Sequence, residues 1–262
     1  MSLVELGDID AVGIRAANPG AFTLAGTNSW LIGREPAWLI DPGPALDEHL
    51  QALEGEIDRR GGLGGIALTH DHADHSEAVG ALRARFPGAA LAAARGEVDA
   101  RLAPGTHFGP LEAIATPGHA PDHYALLSAD VAFTGDAVLG TGSVFIAPDP
   151  GALAGYLQGL ARLRARRLRL LAPGHGPVVT DPDGKLDEYI AHRLERERRL
   201  LQALSGGARS VAALLDGAWS DVPAVLRPAA MVTLAAHLDK LEAEGRLPAG
   251  VERPAPFALR AP

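Results

Sequence analysis

Four side chains that can bind a metal ion lie within six positions of the sequence. They are His70, His72, Asp74 and His75, and they directly follow an apolar run. In an extended segment, side chains two and four positions apart leave the same side of the backbone, so His70, His72 and Asp74 would project together. Imidazole and carboxylate groups suit zinc or iron at neutral pH. Ligands repeated at this spacing predict a binuclear site rather than a single structural ion.

Three more candidate ligands stand in loops that follow predicted strands: His119, Asp136 and His175. Each directly follows a glycine, which allows the chain to turn sharply and to project the next side chain from the sheet edge. The remaining five histidines are interpreted as packing or surface residues and not as ligands: His49, His107, His123, His192 and His237. For His192, packing of its long helix is favoured over a contact with substrate.

The segments around these loops are short strands interspersed with helices. Strands are predicted at residues 28–33, 37–40, 65–68, 89–94, 111–115, 123–128, 131–134 and 168–172, and the first two form a hairpin. Helices are predicted at about 45–57, 76–85 and 150–166, with Ser76 as an N-cap. Hairpins mixed with helices indicate an α+β fold of two sheets flanked by helices, not a purely parallel sheet.

The sequence changes character after Asp183-Gly184. A long charged helix is predicted at residues 185–204 and an amphipathic helix at about 229–244, followed by an extended tail from Gly245. Short helices with a strand-like tail are typical of a winged helix, although a small helical cap fits the same pattern. We therefore predict a catalytic domain over residues 1–204 and a small C-terminal domain over residues 205–262.

Composition limits the classes of protein to consider. The 262-residue chain has a formal net charge of −8, which argues against a nucleic-acid binder held by bulk charge. It has no cysteine, so a metal here depends on His, Asp or Glu and disulfides are excluded. No apolar run is long enough to span a bilayer, and the N-terminus lacks the pattern of a secretory signal. A cytoplasmic location is the resulting expectation.

Arginines are concentrated in two clusters. The first holds Arg162, Arg164, Arg166, Arg167 and Arg169, and the second holds Arg193, Arg196, Arg198 and Arg199. They are interpreted either as solvated helix faces, which is the favoured reading, or as two patches that hold an anionic substrate. The sequence alone does not separate these readings.

The motifs resemble those of the metallo-β-lactamase superfamily, and within it the β-lactamase-like hydrolases that carry a C-terminal winged helix. The resemblance rests on His-x-His-x-Asp-His at 70–75, Pro-Gly-His at 117–119, Gly-Asp at 135–136 and Pro-Gly-His-Gly at 173–176. Segments 28–32, 40–43, 134–140 and 189–193 support it. It extends from about residue 25 to 200. It implies an αββα sandwich with a small winged-helix-like C-terminal domain.

The resemblance also implies how the candidate ligands divide. His70, His72 and His119 would bind one ion, Asp74, His75 and His175 the second, and Asp136 would bridge them. Zinc is the default metal, although related hydrolases use iron or manganese. Two divalent ions that share a water lower its pKa towards neutrality, so the bridging hydroxide would be the nucleophile. Asp74 would hold that hydroxide by a hydrogen bond and is the predicted catalytic residue.

Two departures from the patterns of related proteins narrow the range of expected activities. Asp136 stands where one class of zinc β-lactamases has a cysteine, which argues against antibiotic hydrolysis. His72 replaces the glutamate of the oxygen-reducing diiron branch, which favours a hydrolase over an oxidoreductase.

The sequence features bear on three possible functions. The first is hydrolysis of a small ester or thioester, as in glyoxalase-II-like enzymes, and the second is cleavage of single-stranded RNA by an endoribonuclease. The Arg clusters and the C-terminal domain favour RNA, while the acidic charge and the 5% aromatic content count against it. These two stay nearly even. The complete ligand set speaks against the third function, a non-catalytic binding module, and a homodimer is left open.

Overall fold

Two β-sheets face each other in the larger part of the molecule, and helices cover their outer faces. The computed structural model describes residues 3–6 and 9–255. Within these residues the first sheet has seven strands and the second has five. The sequence-based prediction of an α+β fold with two sheets flanked by helices is confirmed.

The first sheet follows the order of the chain. Its strands are β1 (Leu3–Glu5), β2 (Ala11–Arg15), β3 (Asn28–Ile32), β4 (Ala37–Ile40), β5 (Leu63–Ala67), β6 (Ala90–Ala93) and β7 (Ala100–Arg101). The first four pair antiparallel and β4 to β7 pair parallel. The connections hold helices α1 (Asp47–Arg59), α2 (Ala73–Ser76) and α3 (Val79–Arg85). Because β4 and β5 are parallel, the loops after Ile40 and Ala67 meet at one edge.

The second sheet repeats this arrangement on the opposite side. Its strands are β8 (His107–Phe108), β9 (Leu111–Ala115), β10 (Tyr124–Ser128), β11 (Val131–Gly135) and β12 (Leu170–Pro173). Strands β11 and β12 are parallel and are joined through helix α4 (Ala152–Arg164). Their carboxyl ends therefore deliver Asp136 and His175 to one edge.

Apolar side chains fill three layers of this sandwich. Between the sheets, the rings of Trp30 and Phe133 lie with their centroids 5.9 Å apart. Leu53 and Leu82 belong to the cluster that packs α1 and α3 on the first sheet. Tyr156 belongs to the cluster that packs α4 on the second. The two sheets are thus fixed relative to each other by buried apolar surface, the dominant favourable contribution to folding.

Helix α5 (Pro182–Ser205) joins this sandwich to the C-terminal helices. Leu186 packs with the second sheet, whereas Leu200 and Leu204 pack in a separate cluster. That cluster also holds side chains of α6 (Val211–Ala218) and α7 (Arg227–Ala243). A 3₁₀ turn, Ala224–Leu226, precedes α7. The predicted boundary between residues 204 and 205 falls at the end of a helix shared by both clusters, and it stays a prediction.

One local expectation was wrong, and a second was met only in part. Ser76 is the last residue of α2 rather than the N-cap of the next helix, and its hydroxyl donates to the His72 carbonyl. The tail after Gly245 is not helical, but no strand follows β12 in residues 174–255. The backbone N–H of Glu252 donates instead to the Arg209 carbonyl. The strand-like wing is therefore not seen in the described residues, and positions 256–262 of the predicted tail lie outside them.

Across residues 3–6 and 9–255, no helix combines the length and the apolar character that crossing a membrane requires.

Candidate metal centre

All seven predicted ligands meet where the carboxyl edges of the two sheets face each other. The first sheet contributes the segment after β5, which bends at Thr69 and His70 before α2 begins at Ala73. Asp74 lies in α2 and groups with His75 and His175 rather than with the two histidines before it. The expectation that His70, His72 and Asp74 project together is correct for the first two only.

Three imidazoles form the first group of metal-binding atoms. The Nδ1 atom of His72 lies 3.0 Å from Nε2 of His70 and 3.1 Å from Nε2 of His119. These three side chains could hold a metal ion between them. His70 and His119 are buried, whereas His72 is half-buried.

The second group combines two imidazoles and a carboxylate. Nε2 of His75 lies 3.3 Å from Nε2 of His175, which in turn lies 3.2 Å from Oδ2 of Asp74. These residues could likewise hold an ion. The Asp74 side chain is 27% exposed, so this group reaches solvent through its carboxylate.

Asp136 lies between the two groups and turns one oxygen to each. Its Oδ1 atom is 3.5 Å from Nε2 of His75 and 3.4 Å from Nε2 of His175. Its Oδ2 atom is 3.5 Å from Nε2 of His119. Oδ1 is buried and has no hydrogen-bond partner among the described residues. A buried carboxylate oxygen without a donor is costly, and a bound cation would satisfy it.

The outer nitrogens of the second group fix the tautomers of its histidines. Nδ1 of His75 lies 2.9 Å from Oδ2 of Asp41, and Nδ1 of His175 lies 3.4 Å from the Gly26 carbonyl oxygen. Both oxygens accept, so each Nδ1 carries the proton that it donates. In the neutral ring the Nε2 lone pair then points into the site, as metal binding requires.

The first group is prepared in the same way. The Thr69 hydroxyl donates to Asp41, 2.7 Å away, and so accepts from Nδ1 of His70, 3.0 Å away. Nδ1 of His119 donates to the Phe145 carbonyl, 3.4 Å away. The inward Nε2 atoms of His70 and His119 therefore carry lone pairs. The donor set fits two cations without rearrangement of these rings.

Charge in the site favours bound cations. Burial alone would raise the pKa of Asp136, but His175 and His75 hold that pKa well below its usual value. Burial opposes the charged form of His175 too, yet Asp136 and Asp74 raise its pKa to about 9. Burial lowers the pKa of His119 to about 4. The second group thus attracts positive charge, and a divalent ion would displace the protons held there.

Two residues that the sequence did not assign to the site position its ligands. Asp41 accepts from the Thr69 backbone N–H, 2.8 Å away, as well as from its hydroxyl. His123 accepts the backbone N–H of Asp136 at Nε2, 3.0 Å away, and donates from Nδ1 to Thr116. Burial lowers the His123 pKa to about 3, which keeps this ring neutral and able to accept. No local pattern around His123 could have revealed this role.

A cavity of about 360 Å3 opens beside the site and ends at the C-terminal helices. His119 and Asp136 line its inner end, while His192 and Arg193 of α5 line its wall. Apolar side chains form much of the remaining wall: Phe22, Leu139, Val144, Phe145, Trp219 and Leu226. Its size and lining are those of a small-molecule site.

Comparison with known proteins places this geometry in a family. The sequence model of the metallo-β-lactamase superfamily matches residues 22–100, and that of the β-lactamase associated winged helix domain matches residues 210–248. A crystal structure of a β-lactamase domain protein from Burkholderia ambifaria has the same fold. Its TM-score is 0.77 at 21% identity, covering 93% of this chain and 88% of that one.

Two relatives are similar in sequence. A β-lactamase-like protein 2 homolog of Caenorhabditis elegans is 30% identical over 247 residues, covering 87% of this chain and 82% of that protein. An atrochrysone carboxyl ACP thioesterase of Aspergillus chevalieri is 35% identical over 207 residues, covering 74% of this chain but only 65% of that protein. The chain belongs to the metallo-β-lactamase superfamily, whose members are typically hydrolases. Within it, the chain carries the β-lactamase associated winged helix domain at its C-terminal end.

Proposed function

We propose that this chain is a hydrolase of thioesters that works with two divalent metal ions. The cavity carries the proposal, because it is small, mostly apolar and continuous with His119 and Asp136. A similar protein bears the name of an acyl carrier protein thioesterase, which supports the same reaction class.

In this proposal each group of ligands holds one ion. His70, His72 and His119 hold the first, Asp74, His75 and His175 hold the second, and Asp136 serves both. The ions, when bound, would acidify a shared water and polarise the thioester carbonyl. Zinc is the default metal for such nitrogen and oxygen donors, with iron or manganese as alternatives.

The protein's side chains would position the substrate and accept one proton from the attacking water. Asp74 is ionised at neutral pH, because His175 and His75 lower its pKa despite its burial. Thr27 donates to its Oδ2 atom, 3.4 Å away, and Oδ1 makes no hydrogen bond to a described residue. Oδ1 can therefore orient the attacking water and accept its proton. Phe145 lines the cavity with its ring centroid 4.6 Å from that of His119, so it would cover a carbonyl bound there.

The arginine clusters give little support to the alternative of RNA cleavage. Most of their members pair with acidic side chains, as seen for Arg164 with Asp187, Arg166 with Glu112, Arg169 with Asp130, Arg196 with Asp221 and Arg198 with Glu195. Each pair is close to neutral overall, so these arginines add little net positive charge for a phosphate backbone. The favoured reading of the clusters, solvated helix faces, therefore accounts for most of them.

Turnover of both substrate classes by the same purified protein tests the proposal. The protein, loaded with zinc, is given acyl-N-acetylcysteamine thioesters and, separately, labelled single-stranded RNA. Because the chain has no cysteine, released thiol can be followed with a thiol reagent without background from the protein.

We expect thioester hydrolysis that falls by at least about a hundredfold in Asp74→Asn and His72→Ala. Asp187→Asn, a change of the same kind at an exposed position of α5, should keep full activity. RNA cleavage that depends on Asp74, without thioester turnover, would overturn the proposal in favour of an endoribonuclease. Absence of both activities in protein shown to hold metal would overturn the hydrolase assignment.

A further inference from the structure

Arg193 is a buried cation without a buried anion. Its side chain is 3% exposed and lines the cavity that leads to the candidate metal centre. Its Nη2 atom donates to the Val144 carbonyl and to the Ser143 hydroxyl, both neutral. Among the described residues, no carboxylate oxygen lies within 4.0 Å of its guanidinium nitrogens.

Part of this guanidinium is unused. Among the described residues, its buried Nε atom has no hydrogen-bond partner, and both hydrogen bonds of the guanidinium come from Nη2. The ring of Tyr156 lies 5.3 Å below the guanidinium carbon and fixes its plane. A guanidinium that keeps an unused N–H group can donate a charge-assisted hydrogen bond to a carboxylate oxygen.

The other buried arginines of the described residues differ from Arg193. Arg196 pairs with both oxygens of Asp221, and Arg60 pairs with Glu56 and Asp10. Burying an unpaired charge is strongly unfavourable, so such pairing is the usual arrangement. Arg193 is therefore prepared for an anion that enters through the cavity.

Acidic side chains near Arg193 are engaged elsewhere: Asp221 pairs with Arg196, and Asp136 belongs to the candidate metal centre. His192 and His237 face the same region, and burial is the main cause that lowers the pKa of His192 to about 4 and that of His237 to about 3. Both rings are therefore neutral at pH 7. The anion must come from a ligand.

We propose that Arg193 binds a carboxylate at the far end of the substrate's acyl group, so that the enzyme prefers thioesters of dicarboxylic acids. This inference rests on the proposed thioesterase function. The thioester carbonyl would lie at His119 and Asp136, the chain would cross the apolar part of the cavity, and the terminal carboxylate would pair with Nη1 of Arg193.

The test compares two acyl groups that differ by one charge. Glutaryl- and pentanoyl-N-acetylcysteamine have the same chain length, and neither carries a phosphate. We expect kcat/KM for the glutaryl substrate to exceed that for the pentanoyl substrate by roughly tenfold or more, as a charged hydrogen bond provides. In Arg193→Met the glutaryl substrate should lose that advantage over the pentanoyl substrate, whatever loss of turnover the two substrates share. Arg198→Met, an exposed position of the same helix, should keep the preference.

A merely structural role gives a different result. Arg193 also anchors the loop of Ser143 and Val144, so loss of that anchor would slow both substrates equally. Equal loss for both, or equal rates with the wild-type protein, would overturn the inference while leaving the thioesterase function intact. A loss of turnover in Arg193→Met that is equal for both acyl groups and appears only with coenzyme A thioesters would place the anion in the leaving group and would also overturn it.

Binding provides a readout that does not depend on turnover or on the variant folding. Titration calorimetry of the metal-loaded wild-type protein should show glutarate binding roughly tenfold tighter than pentanoate. Both acids have a carboxylate that can reach the metal ions, so the difference reports the second carboxylate. Equal affinities would contradict the inference even if no thioester were hydrolysed.

Discussion

Asp41 and His75 are joined by a hydrogen bond of 2.9 Å between Oδ2 of the carboxylate and Nδ1 of the imidazole. Asp41 follows β4 and His75 lies beyond β5, so this contact connects the ends of two parallel strands. Asp41 also accepts from the backbone and the hydroxyl of Thr69. One carboxylate therefore positions one ligand of the second group and, through Thr69, His70 of the first.

We predict that Asp41→Asn weakens metal binding without unfolding the protein. Asparagine keeps the size of the side chain but loses the charge that raises the pKa of His75 well above its usual value, against the effect of burial. Loss of such an outer partner typically lowers metal affinity by about 10- to 100-fold. Competition for zinc with a chelating dye measures this effect. Asp187→Asn serves as the exposed control, and unchanged affinity in Asp41→Asn would show that the contact has no role in metal binding.

Asp136→Asn should reduce the content of both ions, because its two oxygens face different groups. His72→Ala should affect chiefly the first ion and His175→Ala chiefly the second. Elemental analysis after purification with excess zinc measures the ratio of ions to chains. Wild-type protein with under one ion per chain would contradict the binuclear proposal. Equal losses in the two histidine variants would contradict the division of ligands.

The ligands could be predicted from the sequence because their types and spacing are chemically specific. All seven predicted side chains come together in the structure. Asp41 and His123 could not be found in this way, since their roles depend on which strands are neighbours. In the sequence, Asp41 belongs to a turn that ends a hairpin, and only the parallel pairing of β4 with β5 brings it to Thr69.

Local sequence patterns also predicted the long helices well but not the surroundings of individual side chains. Periodicity placed α5 and α7 within three residues of their observed ends, because their buried faces repeat with the helical period. Ser76 resembled an N-cap, but an additional short helix precedes α3. Clustering along the chain gave Arg193 and Arg198 equal weight, although one is buried beside the cavity and the other is exposed.

Gly135→Ala should disrupt the candidate metal centre. Gly135 has φ +46°, and an added Cβ would lie 2.4 Å from Oγ1 of Thr69 and 2.8 Å from Nε2 of His123. Both atoms hold the loops that carry the ligands, so we expect a loss of about 2–4 kcal/mol in unfolding free energy together with weaker metal binding. Urea denaturation measures the unfolding free energy, and zinc competition measures the metal affinity.

Gly151→Ala is the matched control, because its φ is +79° and no atom lies within 4 Å of the new Cβ. A control variant as unstable as Gly135→Ala would attribute the effect to backbone strain alone.

His237 should make the protein sensitive to acid. The ring is fully buried in α7, neither nitrogen has a hydrogen-bond partner among the described residues, and Trp219 lies 5.6 Å away. Burial is the main cause that lowers its pKa from 6.5 to about 3, with Arg193 and Lys240 adding to the effect. Below pH 6.5 the unfolded chain therefore binds a proton that the folded chain does not, and stability falls as the pH drops from about 6.5 towards 3. At pH 5 this single residue should lower the unfolding free energy by about 2 kcal/mol relative to pH 8.

Urea denaturation at the two pH values measures this effect. On acidification, His237→Leu should lose less stability than the wild type by about that amount. The control variant His107→Leu, at an exposed position, should lose as much stability as the wild type. Identical pH dependence in His237→Leu and the wild type would mean that this ring is protonated in the folded protein.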